Sequence, residues 1–480
     1  MSLKRKAMTG ALWNFSASGF SQIINFAIYV FLARLVDVEG FGLVAFAFLI
    51  IEFCSIFVTT GINQNLIQKE KWCNEFASSA FWFLILLSIG ISLFLLLVIS
   101  PITYFFYSLE AANLICALSI VPIINGIRMV HNGKLQRNFE NKKLAVFDSS
   151  GVFIGGGLAL LLAFNDFGAW SIAIGRICQS IFSTFLTVIG SGFRPKRSIK
   201  LNHVKALVAF GVPLLNMAIM RFFANKTMGL VVALVIGPAA FAFVAVANRG
   251  LDIIGSLTMQ SLNKMVLPTL SRVGKLEVPS AYYRITSLTA FLITPIYFGL
   301  GAVAEPLVSL TFGDKWADSA ILITISSTFA LPMVMGWYIP NVLVSQGFTK
   351  AAFKVSLINL SFNVILPIAA SFFGLKAIVF SAVLAVYISF PLRFKILSAY
   401  TNISLFQSIK RTLPFSLSSV AMSVSLLTLI HGGVLEGYSS FIQLAILVPT
   451  GTIIYIVLLL LLFKKDTFIA IRELKSIRGH

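Results

Sequence analysis

Long apolar runs separated by short charged segments repeat along this chain from end to end. A helix needs about 20 apolar residues to cross roughly 30 Å of hydrocarbon, and the runs predict fourteen such helices. Six fall at approximately Thr9–Ala33, Gly42–Ile67, Phe76–Ile99, Ala111–Gly126, Leu144–Phe164 and Gly168–Gly190. Six more fall at Ala206–Ile236, Ala239–Asn263, Ile285–Leu310, Ala317–Ser345, Phe353–Phe372 and Leu375–Leu392, and two at Leu413–Ile430 and Ser440–Phe463. The fourth is short and carries Pro122. The pattern predicts an all-α polytopic membrane protein.

Charge orients these helices. Of the 37 Lys and Arg, 30 lie on one side with both termini, in patches such as Arg128–Lys143, Arg194–Lys205 and Arg393–Arg411. The other side holds Arg34, Lys315 and Lys376 among acids such as Asp37, Glu39, Glu305, Asp314, Asp318 and Glu436. Basic loops stay cytoplasmic, so both termini are expected inside. Lys4, Arg5 and Lys6 precede an apolar stretch too long for a signal peptide, which is read as a retained first helix.

Composition agrees: 58% hydrophobic and 11% charged residues over 480 positions, with mean hydropathy +0.93, exclude a soluble globular protein. A net charge of +20 would suggest nucleic acid in a soluble chain, but here it reads as topogenic, and no nucleic-acid partner is expected. Cys54, Cys116 and Cys178 lie in apolar spans and Cys73 in a loop, without CxxC spacing. Neither disulfide nor metal site is expected. No phosphate-binding glycine motif appears and the loops are too short for a nucleotide-binding domain, so no cofactor is expected and ATP does not drive the protein directly.

Offsetting the chain by 200 residues lays the first two spans on the seventh and eighth. Asn25 meets Asn225, Ala33 meets Ala233, Phe41 meets Phe241, Val44 meets Val244, and Asn63 meets Asn263, while Glu52 falls on Asp252. The halves share topology, which implies two parallel six-helix bundles, residues 1–200 and 201–400. Residues 401–480 then add two helices and a basic cytoplasmic tail. Parallel repeats favour a cavity between them.

Polar stripes follow helical spacing on the repeated helices: Asn14, Ser18, Ser21, Gln22 and Asn25; Glu52, Ser55, Thr59 and Asn63; Asn248, Asp252, Ser256, Gln260 and Asn263. Asn216, Arg221 and Asn225 fit a fourth. Any single Ser or Asn reads more readily as interhelical glue, but stripes on repeat-related pairs point to a wet cavity. Glu52, Arg176, Arg221, Lys226, Arg249 and Asp252 lie well inside spans. Even if both acids pair with bases, two positive charges remain, as expected of a path for an anion. Asp148 reads as interfacial. Pro213, Pro295, Pro332, Pro340, Pro367, Pro391, Pro449 and the Gly155-Gly156-Gly157 run are candidate hinges. Trp13, Phe222 and Phe223 place aromatic rings on the first and seventh spans.

The opening GALWNFSASGFSQIINFAIYVFLARLVDVEGFGLVAFAFLIIEF (Gly10–Phe53), then GINQNLIQKEKW (Gly61–Trp72) and later LVSLTFGDKWADS (Leu307–Ser319), resembles the polysaccharide transporter family. These are lipid-linked oligosaccharide flippases of the multidrug/oligosaccharidyl-lipid/polysaccharide exporter superfamily, and the likeness is greatest to its colanic-acid-type and lipopolysaccharide exporters. The resemblance implies two six-helix bundles forming a V around a central cavity, plus two extra helices. It implies translocation of an undecaprenyl-diphosphate-linked oligosaccharide across the bacterial inner membrane for O-antigen, capsule or exopolysaccharide synthesis. It also implies diphosphate contacts for basic cavity residues, here Arg221, Lys226, Arg249 and Arg176.

Asn14, Ser18, Asn25, Asn63, Asn225 and Asn248 are expected to line the cavity, and Glu52 and Asp252 are candidates for ion coupling. No catalytic residue is expected. Partners would be the lipid-linked oligosaccharide, membrane lipid and polysaccharide polymerase machinery. The alternatives are a cation-coupled multidrug exporter of the same superfamily and a polysaccharide polymerase or ligase. The charge map predicts that green fluorescent protein fused at the C-terminus fluoresces, whereas alkaline phosphatase is active only when inserted at outer loops such as that of Glu436; activity at the C-terminus would reverse the orientation.

Overall fold

The computed structural model describes residues 22–69, 72–253, 255, 274, 276–465, 467, 468 and 472. Helices occupy the apolar runs: α1 (Gln22–Leu35), α2 (Val38–Gln68), α3 (Asn74–Phe106), α4 (Leu109–Arg137), α5 (Asn141–Phe164), α6 (Ala169–Ser191) and α7 (Leu201–Ile236). Next come α8 (238–253), α9 (Val278–Ala302), α10 (Ala304–Thr311), α11 (Asp314–Ser327) and α12 (Ala330–Ser345). The last four are α13 (Thr349–Phe373), α14 (Leu375–Thr401), α15 (Leu405–His431) and α16 (Ser440–Leu462). Among the described residues eleven helices are long and apolar enough to span, twelve if the bent pair α11–α12 forms one span. That count does not reach fourteen, because the first and eighth expected spans are described only as α1 and α8.

Several boundaries differ from expectation for physical reasons. The fourth span is not short: α4 covers 29 residues. Pro122 sits in the first turn after a break at Ser119–Ile120, where a missing N–H removes no helical bond. The polar end of α4 continues as helix to Arg137 because it has partners: His131 Nδ1 lies 2.7 Å from Ser191 Oγ, and Arg137 donates to the carbonyls of Leu66 and Lys69. The ninth span ends at Ala302 rather than near Leu310, and α10 follows. The helix α5 runs unbroken through the glycine run, and Pro213, Pro295, Pro367, Pro391 and Pro449 sit inside continuous helices. Pro332 does coincide with a bend: α11 and α12 meet at 48°, where a proline ring would clash with the carbonyl of Thr328 four residues earlier.

Packing divides the chain into two compact units. The first comprises the chain to Phe222 with Gly237–Ala242; the second comprises Phe223–Ile236 and the residues from Phe243 onward. In the first, α5 and α6 pack closely through small residues. A Cβ on Gly155 would stand 2.5 Å from the Gly175 carbonyl oxygen, and one on Gly175 would stand 2.5 Å from Ala159 Cβ. Backbones approach this closely only where side chains are absent. Gly61 breaks α2 with φ +86° and faces Gly211 of α7, which a Cβ would approach to 2.7 Å.

The segment after α6 is strapped along the start of α3. Trp82 Nε1 donates to the Lys196 carbonyl at 2.9 Å, and the N–H groups of Lys196 and Lys200 donate to Ser78 and Ser79 Oγ at 3.0 and 3.1 Å. Glu75 pairs with Lys200 and raises that ammonium above its usual range through the hydrogen bond.

In the second unit α9 is central, flanked by α12, α15 and α16. Thr294 meets Ser419 at 2.8 Å, Tyr455 donates to the Phe291 carbonyl at 2.9 Å, and Tyr282 to the Met335 carbonyl at 2.6 Å. The two C-terminal helices pack here, α15 on α9 and α16 on α15. In both units Ser88, Thr187, Thr286 and Ser419 are buried while Phe106, Phe153, Phe185 and Leu461 are exposed, the reverse of a water-soluble core.

Gly155→Val is expected to destabilise the first unit by about 1–3 kcal/mol through overpacking. Gly157→Val, which meets nothing within 4 Å, should be near neutral. Thermal unfolding of the detergent-purified variants compares the two.

Candidate functional site

An ionisable side chain at membrane depth costs about 2.5–3.5 kcal/mol on insertion scales unless it is paired or wet. In the first unit four helices bring such groups together. Arg128 of α4 pairs with Asp148 of α5, and its Nε donates to Thr187 Oγ1 of α6 at 3.3 Å. Arg176, further up α6, donates to Gln179 Oε1 at 3.3 Å and lies within electrostatic range of Arg128 and of Glu52 on α2. Arg128 thus has a carboxylate, whereas the hydrogen-bond partner of Arg176 is neutral. A guanidinium placed this way keeps donors for a phosphate or carboxylate oxygen.

Arg128 was expected in a cytoplasmic loop and Asp148 at the interface. The signal that could have joined them was available only with α4 extended through Arg128, since the pair spans two helices. Arg221 also belongs to the first unit and is exposed. Its neighbour Phe222 is buried and packs on Phe53, ring centroids 5.1 Å apart, so that face is taken by protein; Phe223 is partly exposed. Asn25 is half-buried on α1. Asn63 ties α2 to α4, its Nδ2 donating to Gln136 Oε1 at 3.1 Å, with Oδ1 packed against Gly133. Asn14, Ser18 and Trp13 lie outside the described residues.

The second unit holds the other candidates. Asn225 is exposed and Lys226 half-buried on α7, while α8 carries half-buried Asn248 and Arg249 and exposed Asp252. Tyr297 of α9 lies within electrostatic range of Asp252 and donates to the Leu251 carbonyl at 3.3 Å. Each unit therefore carries its own set of bases and one central acid, Glu52 or Asp252. Among the described residues no cluster of His, Cys, Asp and Glu has the makings of a metal site.

A double-mutant cycle on Arg128→Met and Asp148→Asn is expected to give a coupling energy of about 1 kcal/mol or less, because the Asp148 side chain is 52% exposed. Unfolding midpoints of the four proteins in one detergent supply the cycle.

Comparison with known proteins fits this architecture. The succinoglycan biosynthesis transport protein ExoT of Rhizobium meliloti is 26% identical over 301 residues, 61% of this chain and 60% of its own length. The chain thus matches rather less than two thirds of that relative. The lipopolysaccharide biosynthesis protein WzxC of Escherichia coli is 23% identical over 367 residues, 74% of this chain and 73% of WzxC. Among solved structures, the lipid II flippase MurJ in an inward closed conformation shares the fold with a TM-score of 0.78 at 17% identity, covering 94% of this chain and 98% of MurJ. An inward-facing multidrug transporter of the MATE family follows at 0.62 and 14%, covering 80% and 94%. Residues 31–321, well over half of the sequence, match the family described as polysaccharide biosynthesis protein, and the chain belongs to that family.

Proposed function

We propose that this chain moves a lipid-linked oligosaccharide, carried on undecaprenyl diphosphate, across the bacterial inner membrane for assembly of a surface polysaccharide. The observation that carries the reading is Arg176, a guanidinium on a membrane-spanning helix whose hydrogen-bond partner is the neutral Gln179. Its remaining donors suit a diphosphate better than a cationic drug. The relatives' names add support, since ExoT is a transport protein of succinoglycan biosynthesis and MurJ a flippase of lipid II.

In this reading Arg176, Arg221, Lys226 and Arg249 take the diphosphate in turn, offsetting its lost hydration while the polyprenyl tail stays in lipid. Asn25, Asn225 and Asn248 offer amides to the glycan. Glu52 and Asp252 are the carboxylates through which a proton or sodium gradient would act. The cycle is alternating access with both termini in the cytoplasm. A polymerase working on the delivered unit is the natural partner, and no covalent step is asked of the protein.

The test is translocation of a fluorescent undecaprenyl-diphosphate oligosaccharide in proteoliposomes, with and without imposed pH and sodium gradients. Losing one charge-assisted contact of about 1.5–3 kcal/mol predicts an approximately ten- to hundredfold lower rate for Arg176→Ala. An unchanged rate in the Arg176→Ala/Arg249→Ala double variant, correctly inserted, would remove the anion role. Gradient-driven efflux of a cationic dye without lipid transport would assign the chain to drug export instead.

A further inference from the structure

Arg393 was expected in a cytoplasmic loop, but it lies inside α14 and is only 8% exposed. Among the described residues its buried Nε meets no hydrogen-bond acceptor, and none of the ion pairs involves it. Two carbonyls of α12 are engaged elsewhere: Met335 accepts from the Tyr282 hydroxyl at 2.6 Å, and Met333 from the Trp337 N–H at 2.9 Å. The guanidinium packs directly on α12, since a Cβ on Gly336 would come within 3.2 Å of Nη2 and 3.4 Å of Phe390 Cδ2. A buried guanidinium with an unused donor is normally matched by an anion, a water or a carbonyl.

Depth narrows the choice. At about 1.5 Å per residue, Arg393 lies roughly 25 Å along α14 from Lys376, close to the full thickness of a hydrocarbon core. That is the level of the phosphates in the leaflet at the C-terminal end of α14. The same end of the unit carries exposed Lys350 and Lys354 at the start of α13, Lys395 beside Arg393, and Lys410 and Arg411 early in α15. Such a collar attracts anionic headgroups.

We propose that Arg393 is the anchor of a phosphate-binding site in the second unit, filled by the headgroup phosphate of an anionic glycerophospholipid. The planar fork suits two phosphate oxygens. The site lies apart from Arg176 and does not rest on the transport reading.

The test uses full-length protein, delipidated in detergent, and follows its unfolding temperature with phosphatidylglycerol, with diacylglycerol bearing the same tails, or with inorganic phosphate. Phosphatidylglycerol should raise Tm of the wild type and of Lys395→Met by about 3 °C or more, and that of Arg393→Met hardly at all, with diacylglycerol inert. An Arg393-dependent rise with inorganic phosphate of the same size would identify free phosphate as the source and overturn the lipid. An equal lipid response in wild type and Arg393→Met overturns the site. Should Arg393→Met fail to fold, Gly336→Ala, which crowds the guanidinium without removing it, must weaken the response; an undiminished response there overturns the proposal too.

Discussion

Hydrocarbon offers no hydrogen bonds, so each polar group carried to membrane depth must find its partner within the protein or in a wet crevice. Both units are organised around that requirement. Serines and threonines return their hydroxyls to the helix turn behind them or reach a neighbour, as Thr294 does to both Ala290 and Ser419. Tyrosines with buried rings aim their hydroxyls at backbone carbonyls on other helices. Many large apolar side chains face the lipid, while others, such as Phe76 in the first unit and Phe394 and Phe415 in the second, fill the core.

The same requirement separates two kinds of arginine that look alike in sequence. Arg128 is held by Asp148 and Thr187 from two different helices and serves the packing of the first unit. Arg176, about three turns away from Thr187's level on α6, has a neutral amide beside it. Only the first arrangement has a carboxylate as its hydrogen-bond partner. A substrate-facing role is argued from the second for that reason, and not from the number of basic residues.

Much of the helical layout is readable from the chain because a twenty-residue apolar run has few alternatives. Helix ends are harder. Arg128, His131 and Arg393 interrupt the hydropathy pattern, and the helix of the first two continues because Asp148 and Ser191 stand opposite them, at distances in sequence that no local window covers. Glycine carries the same ambiguity: Gly155 reads as a hinge by composition, yet its place against Gly175 makes it a packing surface. Asn63 sits in a polar stripe, but its amide is spent on Gln136, 73 residues later. The mid-span charges were found by depth alone; which of them meet each other was not encoded in any spacing along the chain.

The strap between α6 and α7 also fixes an order of events during synthesis. Ser78, Ser79 and Trp82 leave the ribosome more than a hundred residues before the backbone of Lys196 and Lys200 that they hold. Until that segment emerges, the start of α3 has no such partners, and the aromatic cluster of Phe76, Phe81 and Trp82 lacks the residues that close it. Closure of the start of α3 therefore waits for the loop after α6, and a nascent chain stopped at α6 would present an unfinished surface to the insertion and quality-control machinery.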